Sequence, residues 1–363
     1  MKHLINKNIL IISPEPWDHI PVSKHHYARA LASLGNNVFF LNPPAYENSV
    51  KRDAKEANVN IVNYKTIRGA NRLPALFRDG LNSVLIRKIK RLCKVNFDVV
   101  WSFDSFRFQN MRLWETDVKI YHVVDVHKAP LEFQLFESAD VILSVSKLIL
   151  ERITAKDKIT AQINHGLARH FLEPPAVYEN NSSGTIKPEM KVGYVGNLDN
   201  WCVDHETLFR IVMENPDINF MFIGPYKTGS EIASHLTALP NVKLLGRVET
   251  EQLPCLLNQM TVFLMCYYGA DAAVNSNHHK ILEFLSTGKP TVINYTDEYK
   301  DKRDLVIMSD HNEELPALFQ KVCGNIDQYT SPFLVAKRKE YAASNTYASQ
   351  IERIDLLLNS LID

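Results

Sequence analysis

The first 170 residues alternate short apolar runs, of the length of a buried strand, with segments in which apolar residues recur at helical spacing. The predicted strands are 8–13, 37–44, 97–103, 119–125 and 139–146. Tyr27, Leu31 and Leu34 share one face of a helix predicted over 23–35, and Gly35 ends that helix. Near-continuous apolar strands that alternate with helices are typical of a parallel sheet covered on both faces.

Residues 173–189 interrupt this pattern, because Pro, Asn, Ser and Gly dominate there and no hydrophobic period survives. Strand and helix signals then resume, with predicted strands at 191–197, 218–225, 242–246, 261–267, 290–294 and 305–308. The last segment predicts a helix from apolar residues at helical spacing. These residues are Tyr347, Ile351, Ile354, Leu358 and Ile362.

The order of these elements predicts an α/β protein of two Rossmann-like, doubly wound parallel-sheet domains that face a cleft. The expected boundaries are 1–172 for the N-terminal domain, 173–189 for a linker, 190–346 for the C-terminal domain and 347–363 for a helix that crosses back. Sheets of this kind bind ligands beyond the carboxyl ends of their strands. We therefore expect the functional residues in the loops that follow the strands.

Composition excludes several classes of protein. Of 363 residues, 45% are hydrophobic and 23% are charged, as in ordinary soluble domains. The five cysteines form no C-x-x-C pair, which argues against a zinc site and favours reduced thiols in the cytoplasm. The N-terminal apolar run is too short for a signal peptide, and no run approaches the roughly 20 apolar residues of a membrane span. Neither half has G-x-G-x-x-G after its first strand, which disfavours an NAD-dependent oxidoreductase.

The charges are unevenly distributed, although the formal net charge is zero. Residues 1–160 carry 24 Lys and Arg against 16 Asp and Glu, and residues 161–363 carry 17 against 25. This asymmetry indicates an anionic partner for the first half, or it arises by chance. We expect no nucleic-acid partner.

The segment 81–94 predicts an amphipathic helix. Its expected apolar face consists of Leu81, Val84, Leu85, Ile89 and Leu92. The bases Arg87, Lys90, Arg91 and Lys94 are expected on the opposite side. Such a helix is either an ordinary packed surface helix or a peripheral contact with an anionic membrane, which would place the protein at the inner face of that membrane.

The segment 275–294, NSNHHKILEFLSTGKPTVIN, combines a polar start, a short apolar pattern and a strand. Asn277 is a suitable N-cap for the helix that follows, and Gly288 lies at its C-terminal end. The free N–H groups of a first helical turn attract anions, and Lys280 adds a positive charge there. Glu283 lies three residues later on the same face, where a carboxylate can accept the hydroxyl hydrogen bonds of a ribose. These residues fit either a nucleotide diphosphate-sugar site or a surface Lys–Glu pair.

This segment resembles the donor-site helix of GT-B glycosyltransferases, which often reads N-P-L-K-x-x-E-Y-L-A-x-G-K-P-V-V. The matching residues are Asn277, Lys280, Glu283, Gly288, Lys289 and Pro290. The stretch VGYVGNLDNW (192–201) is similar to the glycine loop of that group. NPDINFMFIGP (215–225) and NVKLLGRVETEQLP (241–254) resemble two further motifs of the same domain, and SKHHYARALASLG (23–35) resembles the acceptor-side helix more weakly.

The resemblance implies transfer of a sugar from a UDP- or GDP-linked donor to a glycan or lipid-linked acceptor, in bacterial surface-polysaccharide synthesis. It implies retention of configuration, and a helix dipole with basic residues in place of a metal at the leaving diphosphate. No cofactor is expected, since the nucleotide-sugar is a substrate. The donor-binding residues that it implies are Gly196, Asn197, Gly224, Arg247, Val248, Asn277, His279, Lys280 and Glu283.

The candidate acceptor-side residues belong to the first half. Asp125 ends a predicted strand and fits either a general base for an acceptor hydroxyl or a loop acid. Together with Lys280 and Glu283 it completes the set of candidate catalytic residues. The candidate acceptor-binding residues are His25, His26, His122 and His127. His25 and His26, at the start of their helix, fit either contacts with an acceptor phosphate or a structural role.

Two departures from the GT-B pattern keep a second interpretation open. Asn275 stands where many relatives carry a first Glu, and NLDNWCVDHE (197–206) has no Arg–Lys pair for the diphosphate. Lys280 and the start of its helix would then carry most of the diphosphate charge. The alternative is a non-catalytic GT-B partner subunit that binds a nucleotide-sugar or a glycan.

Overall fold

The computed structural model describes residues 3–66, 73–125, 129–153, 158–173, 189–268 and 277–360. The chain divides into two compact units. The first unit consists of Met1–Gly166 together with Tyr347–Asp363, and the second consists of Leu167–Thr346.

The described part of the first unit contains an eight-stranded sheet. Its strands are β1 (Asn8–Ile12), β2 (Asn37–Leu41), β3 (Ser49–Arg52), β4 (Val59–Asn63), β5 (Val99–Ser102), β6 (Val118–Val123), β7 (Val141–Ser144) and β8 (Ile159–Gln162). Their order is β3-β4-β2-β1-β5-β6-β7-β8, and every pair is parallel except β3 with β4. The five predicted strands are present. The pattern missed β3, β4 and β8, because these strands keep polar residues along their length and have no continuous apolar run.

Helices cover both faces of this sheet, as the apolar strands predict. They are α1 (Ser23–Ser33), α2 (Ala75–Cys93), α3 (Glu132–Ser138) and α4 (Lys147–Glu151). Successive residues of β1 alternate between two cores, with Ile9 and Ile11 in one and Leu10 and Ile12 in the other. The strand is therefore buried on both sides and carries no polar residue after Asn8.

The second unit repeats this plan with six strands in the described residues. Its strands are β9 (Lys191–Val195), β10 (Asn219–Ile223), β11 (Val242–Gly246), β12 (Val262–Met265), β13 (Thr291–Asn294) and β14 (Ile307–Ser309). Its helices are α5 (His205–Met213), α6 (Glu231–Thr237), α7 (Leu253–Asn258), α8 (Lys280–Ser286), α9 (Leu315–Gly324), α10 (Ile326–Tyr329) and α11 (Pro332–Ser344). All pairs are parallel, in the order β11-β10-β9-β12-β13-β14. The order reverses after β9, and this is the switch point at which such sheets bind ligands.

The terminal helix α12 (Tyr347–Asn359) belongs to the first unit, where it packs against α1. Its predicted apolar face is buried through Leu358, whereas Ile362 lies outside the described residues. The boundary between the units differs from the expected end of the N-terminal domain at residue 172. Leu167, Ala168 and Phe171 join the core of the second unit, so its compact part begins before the Pro-rich segment. Most of the expected linker, 174–188, lies outside the described residues.

Candidate functional site

Glycines lie at the carboxyl ends of three neighbouring strands of the second unit, with Gly196 and Gly224 directly after β9 and β10 and Gly246 as the last residue of β11. Gly196 follows β9 and donates its N–H to the carbonyl of Ile223 at 2.9 Å. Gly224 follows β10 and donates to the carbonyl of Gly246 at 2.8 Å. A Cβ on Gly224 would lie 2.0 Å from the carbonyl oxygen of Gly196, and its φ of +142° is one that only glycine adopts readily. The loops after β9 and β10 therefore approach each other too closely for any side chain at this position.

The pair that the sequence singled out, Lys280 and Glu283, is formed on α8. The Lys280 Nζ lies 3.0 Å from each carboxylate oxygen of Glu283. The side chains are only 21% and 11% exposed, so this is a partly buried pair and not the surface pair of the alternative interpretation. Burial raises the pKa of Glu283 above its usual value, and Lys280 opposes that shift. A carboxylate and an ammonium group are thus held side by side in a largely desolvated position.

The other residues of α8 fix this pair to the sheet. Ile281, Leu282, Phe284 and Leu285 are buried, and the ring of Phe284 stacks on Phe263 of β12 at 4.3 Å. Because these apolar residues place one face of α8 in the core, Lys280 and Glu283 lie on its other face. The helix ends at Ser286, and Gly288, predicted at its C-terminal end, follows two residues later with a φ of +79° that suits glycine.

The start of α8 differs from the expectation. Lys280 is the first helical residue and His279 precedes it with helical dihedral angles and no side-chain capping bond, so Asn277 is not the N-cap. Asn277 is buried instead, and the ring of His278 stacks on Tyr267 at 4.5 Å. Tyr267 lies two residues after β12, so this contact holds the start of α8 near the carboxyl end of that strand. Asn275 lies outside the described residues.

The remaining predicted donor-binding residues lie in loops at the same edge. Asn197 is exposed, and its side-chain oxygen accepts the N–H of Asp199 at 3.0 Å. Arg247, directly after β11, is exposed, and Val248 is half-buried. The structure thus places these residues after β9 and β11, on either side of β10. Arg247 after β11 and Lys227 in the loop after β10 are exposed bases at this edge.

Two of the predicted acceptor-side histidines are core residues of the first unit. His25 is fully buried, its Nε2 lies 3.0 Å from the Pro16 carbonyl, and burial lowers its pKa to about 4. His122 is 1% exposed and its ring stacks between aromatic neighbours, including Phe103 at 5.0 Å. Burial lowers the pKa of His122 to about 3. Neither ring meets solvent, because α1 and β6 turn these positions inward.

The other acceptor-side residues differ in their surroundings. His26 is half-buried and its ring stacks on Tyr347 of α12 at 5.0 Å. Asp125 is exposed two residues after β6, so it is accessible to a substrate. His127 lies outside the described residues. Of this set, Asp125 is the residue that the structure leaves exposed.

Sequence reasoning missed a buried arginine at the carboxyl edge of the first sheet. Arg107 donates to Asp104 at 2.6 Å, to the Asn42 carbonyl at 2.9 Å and to the Tyr64 hydroxyl at 3.0 Å, and it also donates to the Ser13 carbonyl. It thereby joins the loops after β1, β2, β4 and β5. An Asp-x-x-Arg spacing directly after a predicted strand was the available signal.

The amphipathic helix also differs from its predicted orientation. Ile86, Ile89 and Cys93 form its buried face, whereas Val84, expected on that face, is 55% exposed. Lys90, expected among the exposed bases, donates its Nζ to the Trp114 carbonyl at 2.6 Å. The reason is that α2 begins at Ala75 and packs against the turn Met111–Trp114, which sets its rotation.

The described residues contain neither a candidate metal site nor a candidate membrane span. No group of three His, Cys, Asp or Glu side chains there is placed to hold a metal ion. Among the same residues, no helix combines the length and the apolar character that crossing a membrane requires.

Comparisons with known proteins give one sequence relative and many structural neighbours. No protein-family model matches the chain. A curated Bacillus subtilis (strain 168) protein, provisionally named the teichuronic acid biosynthesis glycosyltransferase TuaH, is 23% identical over 245 residues. The match covers 58% of this chain and 60% of that relative, so it spans less than two thirds of the relative's length.

Solved structures match almost the whole chain. The sucrose-phosphate synthase of Thermosynechococcus elongatus superposes with a TM-score of 0.74 at 13% identity, covering 98% of this chain and 99% of that one. Anabaena HepE, in complex with UDP and glucose, gives 0.69 at 13% identity over 98% and 100%. A glycosyltransferase of Rickettsia africae gives 0.71 at 11% identity over 97% of each chain. These similarities establish the fold, which is GT-B.

Proposed function

We propose that this chain, which has the GT-B fold, is a glycosyltransferase that moves a sugar from a nucleotide diphosphate-sugar to a glycan or lipid-linked acceptor. The observation that carries the proposal is the Lys280–Glu283 pair, with 3.0 Å contacts and partial burial, at the carboxyl edge of the second sheet. Support also comes from HepE, which has the same fold and was solved with UDP and glucose. We propose bacterial surface-polysaccharide synthesis, on the cytoplasmic side of the membrane, as the setting.

The donor diphosphate would bind at the glycine loops and at Lys280. The glycines at positions 196 and 224 leave backbone surface without side chains, so a phosphate can approach these loops closely. The N–H groups of both glycines already donate to carbonyl oxygens, so Lys280 would carry most of the diphosphate charge. Lys280 would then turn from Glu283 toward the phosphate oxygens, and Glu283 would accept ribose hydroxyls. Arg247 is the exposed base that follows β11 and would supply a second cation.

Chemistry in this proposal depends on charge stabilisation at the leaving group. Negative charge develops on the nucleoside diphosphate as the glycosidic bond breaks, and Lys280 would stabilise it in a partly desolvated position. Asp125 is exposed and would remove the proton of the acceptor hydroxyl. We propose retention of configuration and a metal-independent reaction, following the GT-B enzymes that the Lys280–Glu283 motif resembles.

A nucleotide-release assay tests this proposal. Purified protein is incubated with UDP- and GDP-linked sugars, with and without lipid extracts as acceptors, and free nucleoside diphosphate is measured. We expect release from one donor class, and release should fall in a Glu283→Gln variant. No release from any donor, combined with unchanged nucleotide affinity in that variant, would contradict both the activity and the site.

The alternative function is a non-catalytic partner subunit that binds a nucleotide-sugar or a glycan. Asn275 and the absence of bases in 197–206 favour it, since fewer charges would stabilise a leaving diphosphate. Calorimetry separates the two functions. A subunit of this kind binds nucleoside diphosphate but releases none from any donor, whereas the enzyme does both.

We also propose that α2 contacts an anionic membrane. The α2 stripe is the exposed face formed by Phe77, Val84, Arg87, Arg91 and Lys94. Its N-terminal half presents apolar side chains, with Phe77 70% exposed, and its C-terminal half presents three bases. This arrangement fits a bilayer surface, because each base near anionic lipid contributes about 1 kcal/mol. The stripe replaces the predicted face, which had included Lys90.

Vesicle co-sedimentation tests the stripe. Changing Arg87, Arg91 and Lys94 to Gln should abolish sedimentation with phosphatidylserine vesicles at low salt, and raising the salt should have the same effect on the wild type.

A matched control changes the exposed bases Lys51, Arg52 and Lys55 of the same unit to Gln. The control should sediment as the wild type does. Equal sedimentation of all three proteins would show that α2 does not contact the membrane. Equal loss of sedimentation in both variants would show that only the net charge of the protein matters.

A further inference from the structure

A second cavity lies within the second unit. Its volume is about 770 Å³, which is in the range of ligand-binding cavities. It opens where β12, β13 and β14 end and where α5 begins, and its lining includes Tyr268, Tyr295 and Glu313. None of the donor-site residues lines it, since those residues follow β9, β10 and β11 or belong to the start of α8. The cavity is therefore a separate feature of the same sheet edge.

Aromatic side chains dominate one side of this cavity. Tyr268 is 49% exposed, and Tyr295 is half-buried with its hydroxyl 3.2 Å from Asp297. The loop beside Tyr268 carries Trp201, which is 81% exposed, and a 2.7 Å hydrogen bond from the Tyr268 N–H to the Cys202 carbonyl holds this loop in place. The exposed tyrosine rings beside the cavity offer flat apolar faces on which a ligand can pack.

Most polar side chains of the cavity are already engaged. Asp204 accepts from Thr207 at 2.8 Å and from Asn312 at 2.6 Å. Arg210 pairs with Glu214 at 2.7 Å. These bonds fix the wall of the cavity, and the pairing with Glu214 offsets the charge of Arg210.

The carboxylates Glu206 and Glu313 have a different environment. Within the described part of the chain, neither has a hydrogen bond or a salt bridge to another side chain. Their oxygens are available to accept hydrogen bonds, and their charges give the cavity a negative potential that repels anions. A phosphate, a nucleotide or a uronic acid chain is therefore a poor ligand here.

We propose that this cavity binds a neutral or amine-bearing oligosaccharide, as a site separate from the donor site. Sugar rings present C–H faces that pack on tyrosine rings, and their hydroxyls donate to carboxylates, so Tyr268, Tyr295, Glu206 and Glu313 together match a glycan. An amino group on the glycan adds a charged hydrogen bond to these acids. The site would hold a glycan chain against the second unit whether or not the chain is the acceptor.

Calorimetry with three defined pentasaccharides tests this proposal. The probes are the neutral pentamer of N-acetylglucosamine, its de-N-acetylated form, and a pentamer of galacturonic acid. The first two should bind, and the third should bind at least about tenfold more weakly. Tyr268→Ala should weaken binding of the neutral pentamer by about tenfold, and Tyr46→Ala, a change of an 86% exposed tyrosine in the first unit, should not.

A charge variant and a nucleotide control complete the test. Changing Glu206 and Glu313 to Gln should reduce the difference in affinity between the neutral and the anionic pentamer, because it removes the repulsion between these carboxylates and the anionic sugar. UDP affinity should be the same in Tyr268→Ala and the wild type. Absence of binding by the neutral pentamer, or equal affinity for the anionic one, would overturn the proposal. Loss of UDP binding in Tyr268→Ala would assign the cavity to the donor site instead.

Discussion

Replacing Lys280 by Met separates the structural and the binding roles of the Lys280–Glu283 pair. The substitution keeps a straight side chain and removes the charge that lies 3.0 Å from both Glu283 oxygens. Breaking a fully buried pair costs roughly 3–5 kcal/mol, and breaking an exposed one at most about 1 kcal/mol. With side chains 21% and 11% exposed, we expect an intermediate loss of about 2 kcal/mol in the free energy of unfolding.

The same substitution should reduce activity by a larger factor. If Lys280 stabilises the leaving diphosphate, its loss removes about 2–4 kcal/mol of transition-state stabilisation, or roughly 30- to 900-fold in kcat/KM. The double variant Lys280→Met, Glu283→Gln leaves no unpaired buried charge. It should therefore regain most of the lost stability while activity stays low.

The pH dependence gives an independent check on Glu283. Its folded-state pKa is raised above the reference value of 4.5, so its protonation favours the folded state. The contribution of Glu283 to stability is fully present below pH 4.5 and is lost as the pH rises through the folded-state pKa. Removing Lys280 raises that pKa further, so urea unfolding should show a larger loss for Lys280→Met at pH 7 than at pH 4.

A matched control is available in Lys302, which pairs with Glu298 at 3.2 Å in the same unit and is similarly half-buried. Lys302→Met should lower stability comparably and leave kcat/KM unchanged. A Lys280→Met variant that keeps kcat/KM within about twofold of the wild type would refute the role of Lys280 at the diphosphate, since one lost electrostatic donor is worth far more. An equal loss of activity in both lysine variants would refute it as well.

Three further predictions concern single positions. Gly224→Ala should cost at least about 2 kcal/mol in urea unfolding, because its Cβ would lie 2.0 Å from a carbonyl oxygen. The control Gly80→Ala, in a helix with no neighbour within 4 Å, should stabilise the protein by about 0.5–1 kcal/mol. Equal effects of the two substitutions would contradict the close approach at Gly224. His122→Phe should leave stability at pH 7 unchanged or about 1 kcal/mol higher, because both ring nitrogens lack a partner in the described structure. Because the pKa of His122 is lowered to about 3, its contribution to the free energy of unfolding is present above pH 6.5 and is lost as the pH falls through about 3. The stability of His122→Phe should therefore depend less on pH in this range than that of the wild type. Loss of transfer activity without loss of stability would return His122 to the acceptor site. Asp125→Asn should bind donor nucleotide normally and transfer roughly 10²- to 10⁴-fold more slowly, as measured by single-turnover assay; full activity would favour a mechanism without a general base.

The strand pattern predicted the architecture because buried parallel strands leave a direct record in the sequence. Each such strand is apolar on both faces, as Leu10 and Ile11 of β1 show by joining different cores. Strands β3 and β8 lie at sheet edges with polar side chains, so they have no such record. The position of Gly288 after α8 was also predictable, since a left-handed residue ends the helix.

The candidate site divides in the same way. The spacing of Lys280 and Glu283 determined that they share a helical face, because residues three apart are neighbours on any helix. Only the tertiary structure decided that the pair is partly buried, since the exposure of a face depends on what packs beside it. The histidines show the same limit. The sequence suggested His25 and His122 for a polar acceptor site, yet in the folded protein both rings pack among aromatic side chains of the core.

The sequence by itself determined the buried parallel strands and the helices between them, because backbone propensity and hydrophobic period act locally. It left the polar strands β3, β4 and β8 undetermined. Only the tertiary structure decided which side chains remain available. In the folded protein, Lys90 of α2 donates to a carbonyl and Val84 is exposed to solvent. At Gly224 the neighbouring backbone leaves no space for a side chain. Tyr268, Tyr295 and Glu313 line one cavity. These outcomes depend on contacts between residues far apart in the chain, and no local pattern encodes such contacts.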